Sequence, residues 1–275
     1  MRAKVFFAFC IASFFCLPVV HAGDVLKDVS YTGEVIIGVS CCDRPFIFEE
    51  INGETRELSG FDIDITRAAV KRLGYEPKFV TIDEPELIPL VAEGQIHLAP
   101  GMVHRRHWEK AIDFSVTYLE GGIRVLALKG GGVTKLKDLR FKKIAVPKGE
   151  IGDAGDAISS MFPEAEVVSI SDIPEGISLL KDREVRAVIG EMRALLDAAT
   201  GDEKSKSLIL LSEPIVTYPY AMGLPPKNSS WKELVDFALM DIYISGEFSE
   251  MYQRWFGGSF PFTVEKGFAV EVWPE

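Results

Sequence analysis

Gly60-Phe-Asp-Ile-Asp-Ile-Thr-Arg-Ala-Ala-Val-Lys-Arg-Leu-Gly74 is the stretch that decides the fold. It reads as one complete helix. Asp62 and Asp64 lie in the first turn, where acids complement the positive end of the helix dipole. Phe61, Ile65, Ala68, Ala69 and Leu73 recur at helical spacing, Lys71 and Arg72 fill the last turn, and Gly74 is placed to end it. Working outward, Glu34-Val-Ile-Ile-Gly-Val-Ser40 precedes the helix and Pro77-Lys-Phe-Val-Thr-Ile82 follows it. Both read as strands, so the three segments form a βαβ unit.

The same alternation continues along the chain and predicts a mostly parallel sheet with helices on both faces. A helix is expected over 85–93, closed by Gly94, then a strand over 95–99. A second series has strands at 143–146, 165–170 and 186–189, and helices at 153–162, 173–181 and 192–199. Ser230-Trp-Lys-Glu233 has capping-box spacing, which predicts a helix starting there and running toward Ser245. Gly246 breaks it, and a last amphipathic helix ends at Gly257. Gly130-Gly-Gly132 reads as a loop, since no lysine–serine/threonine pair opens a helix after it.

With these elements in place, the chain resembles the extracellular solute-binding proteins of family 3, the periplasmic receptors that deliver polar amino acids to ABC importers. Arg44-Pro-Phe46 followed by Leu58-Ser-Gly-Phe-Asp-Ile-Asp-Ile65 carries the likeness. Gly94-Gln-Ile-His-Leu-Ala-Pro-Gly-Met102, Ala111-Ile-Asp-Phe-Ser115 and Gly246-Glu-Phe-Ser-Glu-Met-Tyr-Gln-Arg-Trp-Phe-Gly257 follow in order and spacing. The resemblance implies an α/β, type II periplasmic-binding-protein-like fold: two α/β lobes joined by two hinge crossings, with the ligand cleft between them. It places one lobe at 31–120 plus 220–257, the other at 121–219, crossings near 119–124 and 217–222, and an appended tail at 258–275.

The N-terminus agrees with export. Arg2 and Lys4 form a basic start, residues 5–20 are apolar, and Val20-His-Ala22 offers a cleavage site before Gly23. That run falls short of the roughly 20 residues a membrane span needs, so a cleaved signal peptide over 1–22 and a soluble periplasmic product are expected. The formal charge is −11, and −13 once the two basic residues leave with the signal. So acidic a chain argues against a nucleic-acid partner. Cys10 and Cys16 fall within the signal, leaving only the adjacent Cys41 and Cys42. Two free thiols at a strand end are the expectation; a vicinal disulfide, which forces an unusual backbone, is the alternative.

Family 3 receptors hold an α-amino acid with an arginine on its carboxylate, a threonine at a helix N-terminus, an acid on the ammonium group, and flanking aromatic rings. Residue by residue, this chain departs from that pattern. Trp108 stands at the arginine position, with Arg105 and Arg106 as nearby substitutes. Glu150 or Ile151 replaces the threonine, Asp43 the first aromatic residue and Glu84 the second. Glu191 matches the ammonium partner, because Val185-Arg-Ala-Val-Ile-Gly-Glu191 is the expected apolar run ending in an acid. Gly101 and Val103 complete the positions the resemblance assigns to the cleft. Acids crowded together raise one another's pKa, and a cationic ligand relieves that. One reading is therefore a basic amino acid, polyamine or quaternary amine, with Trp108 adding a cation–π contact of about 0.5–2 kcal/mol. The others are an ordinary amino acid or small carboxylate, and a pocket lost or changed. Arg44, Arg105, Arg106 and Arg124 are candidates to neutralise the acids instead.

The resemblance implies no reaction, no cofactor and no metal; the partners are a small amine-bearing ligand and an ABC-transporter permease, and the receptor is a monomer. His104 and His107, at i, i+3 spacing, lack an identifiable third ligand. Phe46, Phe48, Phe61, Tyr252, Trp255 and Phe256 read as packing residues. Two alternatives stand beside transport. One is a cyclohexadienyl dehydratase-like enzyme with Glu150 or Glu84 as general acid; the other is a ligand-sensing subunit for a membrane kinase.

Overall fold

The computed structural model describes residues 24–53, 55–150, 156–200 and 205–257, together with 270 and 272. The proposed signal, residue 151 and nearly all of the tail lie outside the described residues. In chain order the elements are α1 (Val25–Thr32), β1 (Glu34–Val39), β2 (Phe48–Asn52), β3 (Thr55–Ser59), α2 (Phe61–Arg72), β4 (Glu76–Thr81), α3 (Glu84–Ala92), β5 (Ala99–Val103), β6 (Asp113–Phe114) and β7 (Leu119–Leu128). They continue with β8 (Lys143–Pro147), α4 (Asp156–Met161), β9 (Glu166–Ile170), α5 (Ile173–Lys181), β10 (Ala187–Glu191), α6 (Met192–Thr200), β11 (Leu208–Leu210), β12 (Val216–Leu224), α7 (Ser229–Ile244) and α8 (Glu247–Phe256).

The opening βαβ unit forms as its periodicity dictates: β1 and β4 are parallel, from Glu34↔Glu76 to Val39↔Thr81. α2 buries Phe61, Ile63, Ile65, Ala69 and Val70. Phe61 is the hub of an aromatic cluster, with ring centroids 5.8 Å from Phe248 and 5.2 Å from Phe256 on α8. The last helix is thereby folded back onto the first unit, and α1, α3 and α7 pack around the same first lobe. In the second lobe β8 lies parallel to both β9 and β10, and α5 and α6 pack against this sheet.

A single sheet of order β5-β12-β7-β10-β8-β9 links the two lobes. β7 and β12 carry the chain between them and pair antiparallel, from Leu119↔Tyr220 to Ile123↔Val216. The approach is close: Gly122 has φ +107°, and a Cβ there would lie 2.0 Å from the carbonyl oxygen of Val216. No side chain fits that position.

Three local expectations are corrected, and one helix goes beyond them. The strand expected over 95–99 begins only at Ala99. Before it, Leu98 makes a lone bridge to Ile37 of β1, and the continuous ladder forms afterwards against β12. The Ser230–Glu233 capping box does not form, because α7 starts one residue earlier. Asn228, at its cap, instead accepts a hydrogen bond from the Val25 amide at the head of α1 (2.9 Å). The helix α1 goes beyond these expectations: Val25 and Val29 are buried in the core, and Asp24 and a left-handed Gly33 stand at its two caps. Finally, Cys41 and Cys42 are joined as a vicinal disulfide rather than standing as two thiols.

Candidate ligand cleft

The seam between the lobes is assembled from five short pieces of chain. After β1 the disulfide pair leads into Asp43, whose backbone is pinned in a tight turn. Its N–H donates to the Ile47 carbonyl (2.8 Å), and its own carbonyl accepts from Phe46 (2.9 Å) and Ile47 (3.0 Å). Asp62 occupies the first turn of α2, as the dipole argument expects, but it is fully buried. Tyr118 sits just before β7, its hydroxyl donating to Asp62 Oδ1 (2.8 Å) and accepting from the Gly101 amide (2.7 Å). From the second lobe come Glu191, at the end of β10, and Arg193, in the first turn of α6.

Arg193 spans the seam. Its Nε and Nη2 donate to the two oxygens of Asp43 (2.5 and 3.1 Å), and its Nη1 donates to Asp62 Oδ2 (2.7 Å). The guanidinium carbon lies 4.2 Å from the centroid of the Phe46 ring and 5.5 Å from that of Tyr220. A planar fork facing a carboxylate, stacked on aromatic faces, is the geometry guanidinium groups favour. The side chain of Arg193 is 11% exposed, against 0% for Asp62 and 27% for Asp43. Glu191 is satisfied separately. It accepts from the Tyr220 hydroxyl and, through its other oxygen, from the backbone amides of Arg193 (2.8 Å) and Ala194 (3.3 Å), so it caps α6.

Burial decides the protonation landscape. It pushes the Asp43 carboxyl up, with Arg193 pulling the other way, and pushes Glu191 up against the opposing hydrogen bond from Tyr220. Tyr118 and Tyr220 are driven well above the phenol range, first by burial and then by the neighbouring Asp62 and Glu191 charges, so both hydroxyls remain donors. Burial works against the charge on Arg193, but Asp62 and Asp43 outweigh it and hold the guanidinium cationic.

The family profile described as bacterial extracellular solute-binding proteins, family 3, matches residues 35–258. The chain belongs to that family. It is 23% identical over 265 residues to the L-glutamate/L-aspartate-binding protein of Pseudomonas aeruginosa, covering 91% of this chain and 86% of that one. It is 26% identical over 229 residues to the arginine-binding extracellular protein of Bacillus subtilis, covering 82% of this chain and 87% of the relative. Among solved structures, an ancestral cationic amino acid solute-binding protein superposes with a TM-score of 0.69 at 23% identity, covering 84% of this chain and 99% of its own. That likeness places the receptor among two-lobed, type II binding proteins.

Within this family 3 receptor, the positions singled out in the sequence separate into three groups. Asp43, Gly101 and Glu191 meet at the seam. Gly101 has φ +73°, and a Cβ there would come within 2.6 Å of Asp62 Oδ2 and 3.0 Å of Arg193 Nη1. Val103, Arg105 and Trp108 lie on the adjoining wall of the first lobe. Val103 pairs with Tyr220 across the ladder, Arg105 lies 5.1 Å from the Tyr218 ring centroid, and Trp108 packs with the apolar cluster around Leu87 and Ile112. Glu84, by contrast, is exposed at the start of α3 and is not among the charges acting most strongly on Asp43, which are Arg193, Asp62 and Asp197. Glu150 ends a short turn at Lys148–Glu150, its side chain outside the described residues, as is Ile151 altogether. Among the described residues no cluster of three or more His, Cys, Asp or Glu could hold a metal ion. His104 instead pairs with Glu109 (2.8 Å) and stacks on Phe114.

Arg44, Arg105, Arg106 and Arg124 were the candidates to neutralise the acids; for Asp43 the cation is instead Arg193. Arg44 lies over the Phe48 ring, Arg124 donates to the carbonyls of Leu211 and Ser212, and Arg193 pairs with Asp43 and Asp62. Sequence reasoning missed Asp62 as a seam residue, along with Tyr118, Arg193 and Tyr220. One signal was available: Arg193 lies two residues beyond the one acid the family pattern had identified.

Proposed function

We propose that this receptor captures a small amine-bearing solute, a cationic amino acid or related amine, between its lobes and hands it to an ABC-type importer. The observation that carries the reading is the seam itself: Asp43 and Asp62 hold a guanidinium against the ring of Phe46. Relatives do not choose the ligand, since their names cover both acidic and basic amino acids. The charge of the wall does. Two carboxylates beside an aromatic face suit a cation and repel a second carboxylate. Capture proceeds by hinge bending at the crossings near 119–124 and 217–222, and no covalent step is involved. The protein acts in the periplasm as a single chain, after removal of residues 1–22.

Thermal unfolding of the mature protein against amino acids, polyamines, betaines and small acids tests this reading. At a hundredfold excess over its dissociation constant, a bound ligand adds about 2.7 kcal/mol, a shift of several degrees. Basic amino acids or polyamines should produce the shift, and Asp43→Asn should weaken the responding amine at least about tenfold. A shift confined to acidic amino acids or small carboxylates would overturn the cationic reading. Turnover of arogenate or prephenate would make the protein an enzyme instead.

A further inference from the structure

The seam is closed around the protein's own side chain. Arg193 leaves α6 in the second lobe and ends in the first lobe, where every strong partner of its guanidinium is found: both oxygens of Asp43, one of Asp62 and the ring of Phe46. A second tie runs in parallel, from the Arg44 amide in the first lobe to Asp197 Oδ1 on α6 (2.8 Å). The first-lobe wall is shaped to admit the group. Gly101 leaves free the space that any Cβ would take from Asp62 and Arg193, and Tyr118 fixes the second oxygen of Asp62 so that the first faces the seam.

We propose that Arg193 is a tethered occupant of the ligand cleft, which closes the lobes in the absence of solute and which a free guanidinium or alkylammonium group replaces on Asp43 and Asp62. The proposal rests on the cation-receptor reading above and adds to it how the site is regulated. When the lobes part, Arg193 withdraws with α6, and two carboxylates on the first-lobe wall lose their cation together. A solute that brings its own positive group restores the balance and permits reclosure. Because the binding-competent, Arg193-out state is only a fraction of the ensemble, the apparent affinity for solute is reduced by that fraction. The tether therefore sets a threshold: weakly bound amines do not displace it, and the receptor does not respond to them.

The test uses the mature full chain. Small-angle scattering and thermal unfolding are measured for the wild type and for Arg193→Ala, with and without millimolar methylguanidinium chloride, and with sodium chloride at equal ionic strength. The expected result is a ligand-free variant with a larger radius of gyration than the wild type. Methylguanidinium, but not sodium chloride, should restore its compactness and raise its midpoint by several degrees. A variant as compact as the wild type, or one that responds equally to both salts, overturns the proposal. Should Arg193→Ala fail to fold, Arg193→Met combined with Asp43→Asn and Asp62→Asn leaves none of the three charges unpaired. With no carboxylate on the first-lobe wall, that triple variant should be indifferent to methylguanidinium; a triple variant that methylguanidinium stabilises as strongly as it does the wild type overturns the proposal. The two readings fail separately. A wild type that binds no amine, beside a rescued Arg193→Ala, sinks the receptor reading and keeps the tether. A wild type that binds amines, beside a closed Arg193→Ala, sinks the tether alone.

Discussion

The two walls of the seam satisfy their acids in opposite ways. On the second lobe, Glu191 is served by its neighbours: two amides of its own helix and the hydroxyl of Tyr220 on the linking strand β12. On the first lobe, Asp43 and Asp62 depend on Arg193 from across the seam. Opening the lobes leaves Glu191 with its local amide bonds and removes the cation from Asp43 and Asp62. Local satisfaction builds a rigid wall, whereas satisfaction across the seam makes closure depend on charge. A carboxylate out of water without a partner is costly, which is why the first-lobe wall requires a cation in the closed state.

That asymmetry can be broken at its strongest point. Asp62→Ala removes a fully buried partner of Arg193 and leaves the Tyr118 hydroxyl without its acceptor. Deleting one member of a buried pair costs about 3–5 kcal/mol, and the remaining Asp43 contact puts this site near the lower end. Urea unfolding reads the loss as a fall in midpoint at unchanged slope. Next in size, Tyr118→Phe leaves one oxygen of Asp62 and the Gly101 amide unpaired, at about 1–3 kcal/mol by the same measurement.

The smallest effect sharpens the comparison from the other wall. Burial raises the Glu191 carboxyl above its ordinary value, so the folded protein holds that proton more tightly than the unfolded chain does. Its contribution to stability is therefore present at low pH and is lost as pH rises from about 4.3, the unfolded value, through the raised folded one. Glu191→Gln should flatten the fall in stability across that window. An unaltered slope would show that Asp43, whose carboxyl is also raised, carries the dependence alone.

The sequence carried the scaffold well and the seam poorly, for a physical reason. α2, α5, α6, the β1–β4 pair and the aromatic packing of α8 follow from local periodicity and from apolar residues that have to be buried somewhere. Glu191 was legible because an apolar strand ending in an acid is a local pattern. Asp62 was legible only as a first-turn acid; its burial and its partner 131 residues away are tertiary facts. In the same way, Arg193 reads from its own helix as an ordinary polar position in the first turn of α6, and only the facing lobe withdraws it from water. Glu84, a family position matched by counting, lies exposed at the head of α3 and outside the Asp43–Arg193–Asp62 contacts. The acidic surplus of the cleft points to a missing cation, for which a cationic solute and Arg44, Arg105, Arg106 and Arg124 are the candidates in the sequence; the partner of Asp43 is the arginine beside Glu191.

The most direct measurement is a calorimetric titration of L-arginine into the mature wild type and into Arg193→Ala. The account predicts binding to both, at least about tenfold tighter to the variant, because the competing guanidinium is gone. Binding to neither, or weaker binding to Arg193→Ala, would contradict a cleft whose own arginine occupies the place of the solute.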